Sequence, residues 1–214
     1  MSLISKPAGF LLTLLVLTAW RTAQAQAPAP TNTQTFQVTT TRHELEGVGY
    51  YFRAVAAIGT NQLVFIVPKG YFIRVDEPNR LVRAVEREDK CSISVRLITL
   101  PTNAVDKATL DLKPDAFREL LLQQYPKARV LETLSLSAGG TTGPAFDFAW
   151  RNEAGFELHN RVAFIPTVAG VVEFNLLTSA ALREESSHAL NHLMLTFRIA
   201  EKGKLELPEL SNKF

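Results

Sequence analysis

The second half of the chain most constrains the fold, because it holds three short apolar segments separated by brief turns. Residues 145–150 are AFDFAW, residues 156–165 are FELHNRVAFI and residues 171–177 are VVEFNLL. In each segment apolar side chains alternate with other residues, which is the period of a β-strand. The turns at 152–155 and 167–170 are too short for a parallel crossover. We therefore predict an antiparallel meander.

Seven further segments have the apolar alternation or the continuous apolar runs of strands, and turn residues separate most of them. They are FQVTTTR, VGYYFRAVAAI, QLVFIVP, YFIRV, RLVRAVE, CSISVRLITL and, later in the chain, ARVLETLSL. In QLVFIVP both alternating sets are apolar, which is typical of a strand covered on both faces.

Two helices are predicted between and after these strands. The first begins at Pro114, a residue suited to the first helical position, and Pro126 ends it. The second runs from about residue 181 to residue 194. The order of strands, helix, strands and helix predicts an α+β fold with an antiparallel sheet. The residues of the first helix that share an apolar face are Phe117, Leu120, Leu121 and Tyr125.

The N-terminus has the three-part pattern of a secretory signal peptide. Lys6 precedes an apolar run from Ala8 to Trp20, and small residues at positions 23 and 25 suit a signal peptidase. The run is about 13 residues long, whereas a membrane-spanning helix needs about 20. We therefore expect export to the periplasm or the exterior, with no permanent membrane span after cleavage. The predicted segments are a signal peptide at 1–25, a flexible leader at 26–35, a single α+β domain at 36–200 and a C-terminal tail at 201–214.

The charge balance excludes nucleic-acid binding, and the cysteine content excludes an intramolecular disulfide. The chain has 23 basic and 21 acidic residues, and Lys6 and Arg21 belong to the signal, so the exported chain is formally neutral. Nucleic-acid binding draws most of its affinity from phosphate neutralisation, so this partner class is excluded. Cys91 is the only cysteine, which rules out an intramolecular disulfide. It alternates with Ile93 and Val95 and is expected to be a buried thiol.

Two histidines four residues apart, His188 and His192, share one face of the final helix. That spacing suits metal chelation, but a site needs a third ligand and fixed outer partners. At 100° per residue the pair lies opposite the apolar face, so we predict a solvated surface and no metal. The residues of that apolar face are Ser186, Ala189, Leu190, Leu193, Met194 and Phe197, with Leu182 nearby.

The remaining polar motifs predict no chemistry on their own. His159 lies on the polar side of a strand and His43 lies at a charged turn, although a catalytic triad assembled from distant residues remains an alternative. GGTTGPAF lacks the lysine of a phosphate-binding loop and leads into a strand, so we predict a hairpin loop. Asp106, Asp111 and Asp115 are spaced too irregularly for a calcium loop.

The chain resembles the PsbP/DcrB-like superfamily, which includes PsbP, DcrB and the Mog-type Ran-binding proteins. The likeness is carried by LVFIVPKGYF at 63–72, by the meander described above, and by LNHLMLTFRI at 190–199, where Thr196 replaces the usual serine. The resemblance implies a curved antiparallel sheet flanked by helices, an αβα sandwich whose known members mostly bind proteins. Some bacterial members are adaptors for secreted proteins. The metal-binding histidines of some plant members have no matching motif here.

We therefore expect an exported, non-enzymatic binding or accessory protein whose partner is another protein. No catalytic, metal, cofactor or binding residue is assigned, and no cofactor is expected. An alternative is a carrier of a small apolar or lipid-like ligand, and a third is an enzyme in which His159 or His43 meets a carboxylate and a nucleophile. The aromatic residues that would line the carrier's cleft, or else fill the core, are Tyr50, Tyr51, Phe52, Phe146, Phe148, Trp150 and Phe156.

Overall fold

A computed structural model describes residues 36–45, 49–98, 112–167 and 169–201, and within them it contains eleven strands and two α-helices. The strands before the first helix are β1 (Phe36–Leu45), β2 (Gly49–Ile58), β3 (Asn61–Val67), β4 (Tyr71–Asp76), β5 (Leu81–Glu86) and β6 (Cys91–Ile98). The later elements are α1 (Pro114–Gln124), β7 (Arg129–Ala138), β8 (Thr141–Arg151), β9 (Glu157–Thr167), β10 (Gly170–Ser179), α2 (Arg183–Thr196) and β11 (Arg198–Glu201). The predicted signal peptide lies outside the described residues.

The strands form two antiparallel sheets. The four-stranded sheet has the order β1-β2-β3-β11, and the seven-stranded sheet has the order β4-β5-β6-β10-β9-β8-β7. The predicted meander is present as β8-β9-β10, and β6 pairs directly with β10, although α1 and β7 to β9 separate the two strands in the chain. The antiparallel α+β class is therefore confirmed.

The arrangement of layers differs from the predicted αβα sandwich around a single sheet. One face of the seven-stranded sheet packs against both α2 and the four-stranded sheet, and the opposite face packs against α1. Most residues of the structure are in strands, so the flanking-helix description is only partly confirmed. Two sheets form because the chain leaves β3 through a turn at Pro68–Gly70 and enters β4 of the other sheet.

The larger core joins both sheets and α2. Leu190, Leu193 and Phe197 of the α2 region are fully buried, and the Phe197 ring meets that of Phe174 edge-on at 5.0 Å between centroids. Cys91 is buried in the same core, as its alternation predicted. The apolar face predicted for the final helix is therefore the face that packs.

The smaller core lies between α1 and the other face of the seven-stranded sheet. Leu121 is buried there with Phe146, Phe148 and neighbouring residues of β9, and Phe117 and Tyr125 pack against them. The prediction of a shared apolar face for α1 is wrong for Leu120, which is half exposed. Of the four residues, only Leu121 is fully buried, and Phe117 and Tyr125 are half-buried.

The predicted glycine-rich loop is a tight hairpin. β7 and β8 pair up to Ala138 and Thr141, so that only Gly139 and Gly140 form the turn. Both have positive φ, which two-residue hairpin turns of this hand require. The rest of GGTTGPAF belongs to β8. Among the described residues, no helix is long and apolar enough to cross a membrane.

Candidate functional site

The two histidines of the final helix face solvent, as predicted. His188 and His192 are exposed on α2, on the side away from Leu190 and Leu193. Within the described part of the chain, no group of three or more His, Cys, Asp or Glu residues is placed to hold a metal ion. His188 and His192 are thus exposed, and no described residue is placed to be a third metal ligand beside them.

His192 borders a cleft of about 440 Å³ that also includes the Pro68–Gly70 turn. Its lining mixes acidic side chains, Glu185 among them, with basic ones. At its floor the Tyr71 hydroxyl donates a hydrogen bond to the Cys91 sulfur at 3.3 Å. Burial, and then the contact with Cys91, raise the pKa of Tyr71 above its ordinary value, so the phenol stays protonated near neutral pH. This cleft is a solvated, mixed-charge surface with an uncharged phenol at its floor.

His159 and His43, the candidates for an assembled catalytic site, lie in different sheets. His43 stacks on Tyr51 in the β1–β2 hairpin, with ring centroids 5.2 Å apart. His159 contacts Glu157 through Nε2 at 3.3 Å, and its Nδ1 is buried without a partner among the described residues. The adjacent cavity measures only about 10 Å³, the space of one water molecule. A substrate does not fit there.

The three aspartates considered for calcium are not a cluster in the described part of the chain. Asp115 is exposed in the first turn of α1, where the positive end of the helix dipole stabilises its negative charge. Asp106 and Asp111 lie outside the described residues.

Asp147 is a buried carboxylate whose role the sequence did not indicate. Arg161 binds it through two hydrogen bonds of 2.6 and 2.7 Å, and Arg183 at the start of α2 binds the same carboxylate. Burial alone would raise the pKa of Asp147, but the hydrogen bonds from the two guanidinium groups outweigh it and lower the pKa. This ion-pair cluster holds the first turn of α2 against β8 and β9, so its role is structural.

The outer half of the β1–β2 hairpin has exposed aromatic side chains, and we call it the aromatic ribbon (residues 40–44 of β1 and 49–53 of β2). Burial on β2 begins only at Ala54. On one face Tyr50 and Phe52 are 59% and 40% exposed. The Arg42 guanidinium lies 4.3 Å from the centre of the Tyr50 ring. The sequence placed these aromatic residues in a core or a cleft, and that prediction is wrong.

The opposite face of the aromatic ribbon is also organised. Tyr51 lies under His43, and Arg53 donates a hydrogen bond to the Tyr51 hydroxyl at 3.1 Å. Cross-strand pairing fixes the stacking of His43 on Tyr51, because the two residues are directly opposite each other. Both faces of the ribbon therefore present aromatic and arginine side chains in defined positions.

β1 is also an edge strand. Among the strands that the structure describes, β1 pairs only with β2, and its residues 39–42 are exposed. An edge strand offers unpaired backbone N–H and C=O groups to an incoming strand. The ribbon thus has a backbone edge, which supplies the main-chain hydrogen bonds of recognition by strand addition, and aromatic side chains next to that edge.

The sequence matches no protein-family model and no curated protein. Its structure is similar to the solution structure of cyanobacterial PsbP (CyanoP) from Synechocystis sp. PCC 6803, with a TM-score of 0.50 and 12% identity over 76% of this chain and 93% of that one. It is also similar to LpqN of Mycobacterium tuberculosis, described as involved in cell envelope biogenesis, with a TM-score of 0.47 and 13% identity over 77% of this chain and 92% of that one. A protein of unknown function from Pseudomonas aeruginosa, PA94, has a TM-score of 0.37 and 15% identity over 72% of this chain and 95% of that one.

At 12% identity the likeness to cyanobacterial PsbP concerns the fold. The chain has a PsbP-like fold, and the resemblance drawn from its sequence is confirmed at that level. Function depends on the surfaces that this chain places on the fold.

Proposed function

We propose that this protein is an exported, non-enzymatic accessory protein that binds another protein through the aromatic ribbon. The partner contributes an extended segment that pairs with the outer edge of β1. Its side chains contact Tyr50 and Phe52 on one face of the hairpin.

The observation that carries this proposal is the exposure of Tyr50 and Phe52 beside Arg42. Tyrosine and arginine are enriched among the residues that dominate protein–protein binding energy. Exposed apolar rings held in place cost little ordering entropy when a partner covers them. Here the Arg42 contact and the edge-on packing of Phe52 against Tyr50, with centroids 5.6 Å apart, position the rings beforehand.

The charge of the ribbon favours a partner segment with acidic residues. Arg42 and Arg53 outnumber Glu44, which pairs with Arg42 at 2.9 Å. An acidic side chain opposite Arg53 would gain an electrostatic contact, and a second arginine there would be repelled.

Export rests on the signal-like N-terminus, and the PsbP-like fold is compatible with an accessory role. The carrier hypothesis ranks second. It required the aromatic residues to line one apolar cleft, but Phe146 and Phe148 are buried under α1 while Tyr50 and Phe156 are exposed elsewhere. Those residues therefore form no common lining.

Site-specific photo-crosslinking in the native host tests the proposal. A photoreactive phenylalanine at position 52, or at position 40 on the β1 edge, should give one discrete adduct with an exported protein. The same group at Leu195, which is 74% exposed on α2, is the matched control.

Tyr50→Ala should lower the adduct yield from position 52 at least fivefold while the thermal midpoint of the protein is unchanged. Equal adducts from position 195, or an adduct at position 52 that is insensitive to Tyr50→Ala, would show that the ribbon is not the binding surface.

A further inference from the structure

A polar groove lies on the α1 side of the seven-stranded sheet, just beyond the end of α1, and we call it the sheet groove. It has a volume of about 290 Å³. Its floor includes Leu177 and, for the most part, outward-facing polar side chains of β6, β9 and β10, namely Ser92, Ser94, Arg96, Asn160, Glu173 and Asn175. Tyr125 and Trp150 form one wall, with ring centroids 5.3 Å apart. None of these residues belongs to the aromatic ribbon.

The polar side chains of the sheet groove are held in a fixed network. The Trp150 indole N–H donates to Asn160 Oδ1 at 2.7 Å, and Asn160 Nδ2 donates to Asn175 Oδ1 at 2.7 Å. Asn160 is only 4% exposed, so its amide orientation is set by these bonds and not by solvent. A preorganised network of this kind is typical of a ligand site, because binding then costs little side-chain entropy.

Arg96 adds a donor to the sheet groove that no described residue uses. Its Nη2 binds Glu173 at 2.5 Å, while its buried Nε has no hydrogen-bond partner among the described residues. A buried donor without a partner costs free energy, which an acceptor entering the groove can recover. The Arg96 side chain is 39% exposed, so a small movement would bring its guanidinium into contact with a ligand.

The charges of the sheet groove disfavour an ionic ligand. Arg96 is paired with Glu173, and Arg83 at the rim lies 3.7 Å from Asp76. An anion that reached either guanidinium would lie beside the carboxylate already paired with it and would be repelled by that carboxylate. An apolar ligand would strand the serine, asparagine and arginine groups of the floor without partners.

We propose that the sheet groove binds a neutral polyhydroxylated ligand, a mono- or disaccharide unit. Hydroxyl groups both donate and accept, as do the asparagine and serine side chains of the floor. The C–H face of a sugar ring packs against the Tyr125 and Trp150 wall. Burial raises the pKa of Tyr125, so its phenol remains a neutral hydrogen-bonding group around neutral pH.

Tryptophan fluorescence of the full chain reports this site directly. The chain has two tryptophans, so after Trp20→Phe only Trp150 remains. The probes are maltose, cellobiose and N,N′-diacetylchitobiose as neutral saccharides, citrate as an anion and laurate as an apolar ligand. At least one neutral saccharide should give a saturable change in Trp150 emission, and citrate and laurate should give none.

Two variants locate the binding. Ser94→Ala and Arg96→Met should each raise the dissociation constant at least fivefold, and circular dichroism should show an unchanged fold. Their controls are Ser137→Ala on the distant edge strand β7 and Arg42→Met on the aromatic ribbon, which should not alter it. If Arg96→Met lowers the thermal midpoint, Ser94→Ala alone decides.

The proposal is overturned if no neutral saccharide gives a saturable change in Trp150 emission at millimolar concentration. It is overturned as well if citrate or laurate gives such a change. It is also overturned if Ser94→Ala binds like the parent chain. Because Arg42 takes no part in the groove, these outcomes leave the proposed protein-binding role of the ribbon unaffected.

Discussion

The Asp147 side chain is only 2% exposed, so the negative charge has little contact with water. The ion pairs with Arg161 and Arg183 offset the cost of burying it. Asp147→Asn removes that charge and leaves two arginines facing a neutral amide. Breaking a buried ion pair on one side costs about 3 kcal/mol, and we expect the free energy of unfolding in urea to fall by about that amount.

Asp89→Asn is the matched control for this substitution. Asp89 also pairs with an arginine, Arg74, but both side chains are more than half exposed. Exposed pairs contribute between about 0 and 1 kcal/mol, so this variant should unfold nearly like the parent chain. Equal losses in the two variants would mean that the Asp147 cluster is no stronger than a surface pair.

The stability of the protein should depend on pH through the same carboxylate. The folded state lowers the pKa of Asp147 below the value of about 3.9 that an aspartate has in an unfolded chain. Between the folded and the unfolded pKa values the unfolded state binds more protons than the folded state, so the free energy of unfolding rises with pH. The contribution is complete above the unfolded pKa and is lost as pH falls through the folded pKa.

The difference in unfolding free energy between the parent and Asp147→Asn should therefore be smaller at about pH 3 than at neutral pH. Other carboxylates titrate in both proteins, so the difference between them isolates this group. A constant difference across the two pH values would show that Asp147 does not carry the lowered pKa.

The periodicity of strands and helices predicted correctly whether several single residues are buried or exposed. It placed Cys91 in the core and turned His188 and His192 to solvent, and the structure agrees. It could not show that the N-terminus of α2 covers Asp147, because that contact joins residues 36 positions apart. Nor could it show that Tyr50 lies beyond the covered part of its strand.

At the scale of elements, the β7–β8 hairpin depends on a close backbone approach at Gly143. A Cβ atom there would lie 1.8 Å from the carbonyl oxygen of Phe164 in β9. Because the obstacle is backbone, Gly143→Ala must displace a strand. We expect a loss of about 3 kcal/mol in unfolding free energy, at the upper end of overpacking costs.

Gly140→Ala in the turn of the same hairpin separates packing from backbone strain. Gly140 has a φ of +83°, and a Cβ atom added to it would have no neighbouring atom within 4 Å, so only the left-handed conformation opposes the substitution. That strain costs about 1 kcal/mol. If Gly140→Ala destabilises the protein as much as Gly143→Ala, the contact with Phe164 does not explain the need for glycine.

The positions of most elements followed from periodicity and turn residues, but the glycine-rich segment did not. GGTTGPAF has the composition of a loop, yet only Gly139 and Gly140 turn the chain. Gly143 and Pro144 lie within β8, and the structural reason for Gly143 is the passing strand β9, which local sequence does not reveal. The four-residue β11 was likewise too short for a periodic signal.

At the scale of the whole molecule, the sequence could not distinguish one sheet from two. The residues of the turn at Pro68–Gly70 do not show whether β4 joins the same sheet as β3 or a second sheet. The groove and the ribbon depend on that choice. The ribbon lies in the four-stranded sheet and the groove in the seven-stranded sheet.

The two sheets should nevertheless unfold together, because they share the larger core. Phe197 is fully buried, lies edge-on to Phe174 of the seven-stranded sheet, and leads into β11 of the four-stranded sheet. Native-state hydrogen exchange should therefore give the amides of β3 and β9 the same opening free energy, the global one. Phe197→Ala should lower both by the same amount, about 3 to 5 kcal/mol.

The aromatic ribbon should be the exception to this cooperativity. Its outer half has exposed side chains on both faces and little apolar packing beneath it, so the amides of residues 49–53 should exchange through local openings well below the global free energy. Phe197→Ala should leave their exchange nearly unchanged. If β3 instead opens with the ribbon and before β9, the four-stranded sheet is a separate folding unit and the shared core does not couple the two. A hairpin that opens locally on a cooperative body is suited to pairing with an incoming strand, since the edge can adjust without unfolding the protein.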